Sequence, residues 1–581
     1  MTNRVLVDRN VPISMRDGSV LRSDVYRPDT DTPVPAVIIR LPYNKDVLQN
    51  QSFAVHAIRT AEAGYAVIYQ DTRGRFQSDG EFYPFIHEGC DGYDTVEWTA
   101  AQPWCNGAVG MTGASYFGAT QWLAAAEQPP HLKAICPIIT TSEYYEGWTY
   151  QGGAFQLGFA LLWTLTDLAS ETARRKALVG QTDPEEMARL LLATDRMDDQ
   201  YRHLPLPDLP ILRDGEAANF YADWVNHAVD DEYWQSIAIN RRYDNIQVPA
   251  YNIGGWYDLF LHGTLENFMR MREEGGSEIA RSGQRLLIGP WAHGAFSGTY
   301  PDHSFGIFSS ADVLDLTGLQ LDFFSHYLKE ESGIDREPPV RIFVMGENRW
   351  RDEREWPLSR TQYIPWYLHS DGDAGRASGL LSPQAPTEEP WDVYLYDPRD
   401  PAPTIGGPTF LPGLLLGANA GPRDQSPAEA RPDVLVYTSA PLKEPVEVTG
   451  PLTVILYAAT SAPDTDFVVR LCDVYPDGAS RILAEGILRT RFRDGYDQPH
   501  PIESGQVYEY RINLVATSNL FQTDHRIRVD VTSSSFPRFD RNPNTGGALG
   551  QHGPEDLQPA LQTIFHDGGR PSHILMPVIP R

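Results

Sequence analysis

Apolar runs and helix-like segments alternate along the first part of the chain. Residues 35–41, 66–69 and 134–139 are apolar runs with the length of buried strands, and the alanine-rich residues 115–127 have a helical pattern that ends before Pro129. Strands separated by helical segments are typical of a parallel sheet with right-handed crossovers. The pattern therefore predicts an α/β fold for this part of the chain.

Strand-like runs disappear between residues 145 and 244 and return beyond them. Within this stretch, residues 155–168 and 184–192 repeat apolar positions at helical spacing. We therefore predict that residues 1–144 and 245–356 form one α/β domain, and that residues 145–244 form a helical cap inserted into it.

Beyond residue 357 the chain consists of short alternating runs separated by Pro, Gly and Asp. Such runs predict strands of an all-β sandwich or jelly roll at residues 393–396, 434–438, 452–458, 467–474, 507–514 and 525–532. The proline- and glycine-rich residues 386–433 predict a long loop over the surface. Residues 357–581 are thus predicted to be a C-terminal jelly-roll domain.

The composition argues against several classes of partner. The chain has 48 basic and 77 acidic side chains, and its formal net charge of -29 repels nucleic-acid phosphates and anionic membrane surfaces. Its four cysteines lack C-x-x-C spacing, which favours buried free thiols. No stretch resembles a signal peptide or a membrane span, so we expect a cytoplasmic protein with neither a nucleic-acid partner nor a membrane partner.

Three short glycine-containing segments each follow a strand-like run. Ser115 lies in Gly-Ala-Ser-Tyr-Phe-Gly, Asp258 ends Gly-Gly-Trp-Tyr-Asp, and His293 ends Gly-Pro-Trp-Ala-His. A serine hydroxyl becomes a nucleophile when an imidazole takes its proton and a carboxylate orients that imidazole. The order Ser, Asp, His at strand carboxyl ends is that of α/β-hydrolase sites. We expect Ser115 to be the nucleophile, Asp258 the orienting acid and His293 the general base.

Longer strings extend these segments over almost the whole chain and resemble the cocaine esterase group of the X-Pro dipeptidyl-peptidase (S15) family. The spacing Gly-x-Ser-Tyr-x-Gly places Gly118 one residue later than the general G-x-S-x-G motif and is similar to that family's own pattern. The strings are Arg40-Leu41-Pro42-Tyr43, Gln70-Asp71-Thr72-Arg73-Gly74, the three segments above, Ser533-Ser534-Ser535-Phe536-Pro537-Arg538-Phe539-Asp540-Arg541-Asn542 and Asn544-Thr545-Gly546-Gly547.

The resemblance implies an α/β hydrolase with a helical cap and a jelly roll beside the site. It implies a serine carboxylesterase that acts on a small-molecule ester through an acyl-enzyme, without metal or organic cofactor, and it suggests a homodimer. The oxyanion hole would consist of the backbone N–H of Tyr116 and the phenol of Tyr43, because a tyrosine hydroxyl donates well to developing negative charge.

The resemblance also locates a substrate pocket. Trp163 and Phe260 match aromatic residues that line the acyl pocket of the esterase group, and Trp148 is expected to join them, so a bulky or aromatic acyl group would fit. The segment 406–416 is longer than its counterpart, and we expect its Phe410 and Leu411 to close the pocket.

Two other functions remain open at this stage. An amide hydrolase, either an X-Pro dipeptidyl peptidase or a β-lactam side-chain acylase, would use the same triad. Relatives that hydrolyse α-amino acid esters hold the substrate ammonium with two carboxylates where this chain has Phe260 and Leu261, and a buried ammonium without a carboxylate is costly. Asp230, Asp231 and Glu232 are the obvious alternative cluster. A non-enzymatic binding module is the other alternative, because a fold does not fix a function.

Overall fold

The computed structural model describes residues 4–46, 55–181, 185–213, 218–331, 333–334, 337–411 and 419–580. In chain order its strands are β1 (Val5–Ser14), β2 (Val20–Pro28), β3 (Val34–Leu41), β4 (Ala66–Asp71), β5 (Cys105–Ala114), β6 (Leu132–Ile138), β7 (Tyr150–Gln151), β8 (Ala154–Phe155), β9 (Tyr251–Tyr257), β10 (Arg285–Ala292), β11 (Thr299–Tyr300), β12 (His303–Ser304), β13 (Val340–Val344), β14 (Arg349–Glu353), β15 (Gln362–His369), β16 (Gly379–Ser382), β17 (Asp392–Tyr396), β18 (Leu435–Thr438), β19 (Val446–Thr460), β20 (Asp466–Val474), β21 (Ser480–Arg489), β22 (Tyr508–Phe521), β23 (Arg526–Thr532), β24 (Ala560–Phe565) and β25 (His573–Ile579).

Helices connect the strands of the first half and fill the stretch between β8 and β9. They are α1 (Ala57–Glu62), α2 (Glu88–Ala100), α3 (Tyr116–Ala126), α4 (Leu157–Trp163), α5 (Ser170–Leu178), α6 (Glu185–Asp195), α7 (Met197–Arg202), α8 (Pro210–Arg213), α9 (Asn219–Asn226), α10 (Glu232–Gln235), α11 (Leu261–Glu274), α12 (Glu278–Ser282), α13 (Ala311–Leu314), α14 (Leu316–Lys329) and α15 (Ser426–Glu429). A π-helical turn, Thr164–Ala169, joins α4 directly to α5.

The first sheet has the strand order β1-β2-β4-β3-β5-β6-β9-β10-β13-β14. Its centre, from β4 to β13, is parallel, whereas β1, β2 and β14 pair in antiparallel fashion at the edges. Apolar clusters cover both faces of the parallel centre, which explains why its strands read as continuous apolar runs. The predicted α/β fold is confirmed.

Helices dominate between β8 and β9, as the apolar spacing predicts. The segment predicted at 155–168 begins as a helix at Leu157, and α6 covers the segment predicted at 184–192 except for Pro184, which lies outside the described residues. The domain boundaries at residues 145, 245 and 357 stay predictions.

The C-terminal part is all-β, as predicted. Its sheet has eleven strands in the order β17-β24-β19-β25-β15-β16-β18-β23-β20-β21, with β22 paired to β19. One apolar cluster continues from this sheet to Trp256, Leu261 and Phe343 of the first half. The two parts therefore share a core rather than meeting only at their surfaces.

The prediction of a long loop at residues 386–433 holds for the described residues between β17 and α15, but its placement over the surface is wrong. This stretch contains β17 and α15, and Ala402, Phe410 and Gln425 are buried in it, because its apolar side chains pack against the rest of the molecule. Residues 412–418 lie outside the described part of the chain.

The cysteines follow the prediction with one exception. Cys105, Cys136 and Cys472 are buried free thiols, but Cys90 is exposed because it lies on the outer face of α2.

Among the described residues, no helix combines the length and the apolar character that crossing a bilayer requires.

Candidate active site

Ser115 lies in a sharp turn between β5 and α3. Its backbone has φ 57° and ψ -122°, a conformation that lifts the side chain out of the strand end. Gly113 has φ +136°, and a Cβ there would lie 2.5 Å from Cδ2 of Phe117. A Cβ on Gly118 would lie 2.6 Å from Cγ2 of Thr140. The two glycines are therefore needed for the space they leave around this turn.

A chain of hydrogen bonds links the three predicted catalytic side chains. Nε2 of His293 lies 3.0 Å from Oγ of Ser115, and Nδ1 of His293 lies 2.7 Å from Oδ1 of Asp258. Asp258 follows β9, His293 follows β10, and the side chains of both are almost completely buried. The imidazole thus lies between a carboxylate and a hydroxyl at the carboxyl edge of the sheet.

Tyr116 begins α3 directly after Ser115. The first N–H groups of a helix have no acceptor within the helix, so the Tyr116 amide is free to donate next to Oγ of Ser115. Its phenol is anchored elsewhere: it accepts from the N–H of Phe85 and donates to Oε1 of Glu88 at 2.9 Å. Glu88 in turn pairs with Arg40 at 3.0 Å, so a buried ion pair fixes the start of the helix.

Tyr43 lies just beyond β3 and next to α3. Its ring contacts that of Phe117 edge-on at 5.9 Å, and its hydroxyl accepts a hydrogen bond of 2.9 Å from Nε1 of Trp163. Burial raises the pKa of the Tyr43 phenol well above its usual value, so the phenol keeps its proton and remains a hydrogen-bond donor at all physiological pH values.

The predicted pocket residues form one aromatic cluster against His293. Phe260 contacts the imidazole edge-on at 5.0 Å and stacks on Trp148 at 4.2 Å, while Phe410 contacts the imidazole at 5.3 Å. Trp163 lies 5.6 Å from Trp148. The structure thus brings these four rings together with the triad.

Leu411 belongs to the same cluster and lies beside the start of α4. A Cβ on Gly158 would lie 2.8 Å from the carbonyl oxygen of Pro537 and 3.2 Å from Cδ2 of Leu411, so glycine is needed here chiefly for the close approach of the C-terminal backbone to the helix. Because Phe410 and Leu411 come from the C-terminal part of the chain, that part contributes to the apolar cluster beside His293.

Phe159 is a member of this aromatic cluster that sequence reasoning missed. Its ring contacts those of Trp148, Trp163, Phe260 and Phe410 at centroid distances of 5.8, 5.5, 5.4 and 5.4 Å. The available signal was its spacing, since Phe159 precedes Trp163 by four residues and therefore shares a helix face with it.

One group of side chains in the described part of the chain could in principle hold a metal ion: Glu429, Cys472 and Asp530. Glu429 lies in α15, and Cys472 and Asp530 lie in β20 and β23 of the C-terminal sheet. Glu429 already accepts hydrogen bonds from Ser480 and from the guanidinium of Arg528. Because the Arg528 guanidinium already occupies the position beside Glu429 that a cation would take, this group is a poor fit for a metal ion.

Sequence models of two protein families match the chain. Residues 17–295 match the X-Pro dipeptidyl-peptidase (S15 family), and residues 332–575 match the X-Pro dipeptidyl-peptidase C-terminal non-catalytic domain. Cocaine esterase of Rhodococcus sp. (strain MB1 Bresler) is 39% identical over 582 residues, which cover 99% of each chain. The chain belongs to the X-Pro dipeptidyl-peptidase (S15) family. It is a serine ester hydrolase of that family.

Solved structures agree with this assignment. An α-amino acid ester hydrolase is similar to this S15-family hydrolase with a TM-score of 0.79 and 25% identity, covering 99% of this chain and 97% of its own. An aminopeptidase from a marine sediment Thaumarchaeota archaeon matches with a TM-score of 0.80 and 25% identity over 100% and 97% of the two chains. A CocE/NonD family hydrolase of Staphylococcus aureus, 18% identical over 99% and 94% of the two chains with a TM-score of 0.71, shares the fold.

Proposed function

We propose that this S15-family hydrolase is a carboxylesterase that uses Ser115, His293 and Asp258 to hydrolyse esters with bulky or aromatic acyl groups. The hydrogen-bonded chain from Oδ1 of Asp258 through both ring nitrogens of His293 to Oγ of Ser115 carries the proposal. This arrangement can take a proton from the serine while keeping the imidazole in the required tautomer.

The proposed reaction has two halves. His293 accepts the proton of Ser115 as Oγ attacks the ester carbonyl, and the negative charge on the carbonyl oxygen is stabilised by the Tyr116 amide and the Tyr43 phenol. The tetrahedral intermediate collapses, the alcohol leaves with the proton held by His293, and the acyl group stays on Oγ. His293 then deprotonates a water that attacks the acyl-enzyme, and Ser115 regains its proton as the acid is released.

The preference for a bulky acyl group is supported by the aromatic cluster. Phe260 and Phe410 both contact the imidazole edge-on, and Trp148, Phe159 and Trp163 pack against these two rings or against one another. Aromatic rings prefer stacked or edge-on neighbours, so an aryl acyl group would gain contacts here that an acetyl group cannot make.

An amide hydrolase is the second candidate, because the archaeal structure with 25% identity is an aminopeptidase. A free-amine substrate needs an unpaired carboxylate in the pocket. Asp230, however, pairs with Arg241 at 2.5 Å, and Asp231 pairs with His227 at 2.7 Å and caps α10. These contacts favour the ester.

Comparing kcat/KM for p-nitrophenyl benzoate, p-nitrophenyl acetate and an Ala-Pro anilide tests the proposal. We expect benzoate to be preferred, and Ser115→Ala to lower kcat by about a million-fold, as removal of other catalytic serines does. More than a few per cent of activity in Ser115→Ala would contradict the triad, and a preference for the anilide would favour the amide hydrolase. Failure of a fluorophosphonate probe to label Ser115 would contradict the assignment of Ser115 as the nucleophile.

A further inference from the structure

The Tyr43 hydroxyl forms one hydrogen bond, and the direction of that bond determines whether the hydroxyl proton can be donated to another group. The indole N–H of Trp163 can only donate, so in the 2.9 Å contact the Tyr43 oxygen must be the acceptor. Among the described residues, the Tyr43 hydroxyl forms no second hydrogen bond. Its own proton is therefore left to donate to a group that enters the site.

A second contact connects the segments that carry these two side chains. Arg75 is completely buried, and its Nε donates to the carbonyl oxygen of Pro42 at 2.9 Å. Its Nη1 and Nη2 donate to the carbonyl oxygens of Leu168 and Asp167 at 2.9 and 2.6 Å. Pro42 directly precedes Tyr43, and the other two carbonyls belong to the π-helical turn that directly follows Trp163.

This use of a buried guanidinium is unusual. In the described part of the chain, Arg75 forms no ion pair with a carboxylate, although a buried charge without one is costly. Its partners are backbone carbonyls on two segments, and the ring of Phe82 lies 4.9 Å from its Cζ. The π-helical turn that supplies two of these carbonyls belongs to a rare class of turn that recurs at functional sites.

We propose that Trp163 and Arg75 are positioning residues for Tyr43: Trp163 orients the phenol by donating to its oxygen, and Arg75 holds the Tyr43 segment against the helix of Trp163. This inference rests on the proposed role of Tyr43 as an oxyanion donor. It gives Trp163 a second role besides that of a pocket wall, and it explains why an indole rather than a phenyl ring occupies this position.

A double-mutant cycle tests the role of Trp163. Trp163→Phe keeps an aromatic ring and removes the N–H, Tyr43→Phe removes the hydroxyl, and p-nitrophenyl acetate limits the contribution of the acyl pocket. We expect Tyr43→Phe to lower kcat by about 100-fold to 1,000-fold. Trp163→Phe alone should lower kcat by about fivefold to tenfold, the effect of one hydrogen bond, with KM changed by less than about twofold.

In the Tyr43→Phe background, Trp163→Phe should lower kcat by less than about twofold further, because the hydroxyl through which it acts is gone. Trp224→Phe is the matched control, since the Trp224 indole stacks on Trp163 at 5.8 Å without a hydrogen bond to Tyr43. Its effect on kcat should be the same in both backgrounds.

An equal loss of kcat from Trp163→Phe in both backgrounds would overturn the inference. If Tyr43→Phe left kcat unchanged, both the oxyanion role of Tyr43 and this inference would fall, while inactive Ser115→Ala would still support the triad. If the proposed esterase function is wrong, Ser115→Ala keeps its activity. That result can be told apart from every outcome of the Tyr43 and Trp163 cycle.

Arg75→Lys tests the second residue, because lysine keeps the charge but cannot bridge three carbonyls in two segments. We expect a loss of kcat that shrinks in the Tyr43→Phe background, whereas an equal loss in both would contradict the role of Arg75. Thermal unfolding checks that the variant is folded, and if it is not, the Trp163 cycle still decides the inference.

Discussion

Ser115 has a strained backbone conformation and is also the predicted nucleophile. A positive φ in a residue with a Cβ costs about 1–3 kcal/mol, and it persists only where the surroundings impose it. Here β5 and α3 impose it from both sides.

The sequence predicted this turn and the three candidate catalytic residues because each follows an apolar run at a strand end. It could not predict the contact between Trp163 and Tyr43, which depends on how the cap folds over the sheet.

Glu143 gives a prediction on pH dependence at this scale. Burial raises the pKa of its carboxyl from the usual 4.5 to about 7, and Oε1 accepts the N–H of Tyr145 at 2.7 Å. Between pH 4.5 and about 7, the Glu143 carboxyl is therefore protonated in the folded state and ionised in the unfolded state. The contribution of Glu143 to the free energy of unfolding is fully present below pH 4.5 and is lost as the pH rises through about 7.

Glu143→Gln keeps the acceptor for Tyr145 and removes the titration. We expect the Tm of the variant to exceed that of the native protein by a margin that grows from pH 4.5 to pH 7.5, as measured by thermal unfolding in a series of buffers. Parallel curves for the two proteins over this range would contradict the prediction.

At the scale of elements, α2 packs closely on α3, the helix that begins at Tyr116. A Cβ on Gly92 in α2 would lie 2.5 Å from Cβ of Ala124 in α3. Gly92→Ala must therefore push the helices apart, and we expect it to lower the free energy of unfolding by about 1–3 kcal/mol and to lower kcat as well.

Two variants control this experiment. Ala124→Gly in the Gly92→Ala background should restore part of the lost stability, even though glycine costs about 1 kcal/mol in a helix. A Cβ on Gly89 of the same helix would lie 3.1 Å from Cγ of the flexible Glu127 side chain and 3.3 Å from the Leu123 carbonyl oxygen, so Gly89→Ala should be milder. Urea unfolding measures all three, and equal losses for Gly92→Ala and Gly89→Ala would refute the packing argument.

The sequence predicted some elements better than others, for physical reasons. The central parallel strands are buried on both faces, so their apolar runs are continuous. The edge strand β1 is largely exposed and has no such run. Residues 386–433 are rich in Pro and Gly, which usually indicates a loop at the surface, but long-range packing buries much of this stretch. Local composition cannot reveal such tertiary contacts.

At the scale of the whole molecule, the C-terminal part holds the segment that leads into α4. Oδ1 of Asp540 accepts hydrogen bonds from the N–H of Phe155 and from Arg489, both at 2.9 Å. The N–H of Asp540 donates back to the carbonyl of Phe155 at 3.0 Å. Because α4 carries Phe159 and Trp163, we expect this contact to help position the two rings in the proposed pocket.

Asp540→Asn should therefore affect both stability and specificity. We expect a loss of about 1–3 kcal/mol in the free energy of unfolding, the usual range for buried hydrogen bonds to charged groups. KM should rise for p-nitrophenyl benzoate but not for p-nitrophenyl acetate, as measured by steady-state kinetics. Asp397→Asn, which removes a surface ion pair with Arg399, should change neither property. Equal changes of KM for the two esters would contradict the link to the pocket.

The order of residues along the chain gives the shared pocket a consequence for biosynthesis. Ser115, Asp258 and His293 leave the ribosome well before Phe410, which contacts the imidazole, and before Asp540, which holds the segment ahead of α4. A nascent chain that carries all three predicted catalytic side chains thus still lacks Phe410 and Asp540. We therefore predict that full esterase activity arises only late in translation, when the C-terminal strands have folded onto the part of the chain made first.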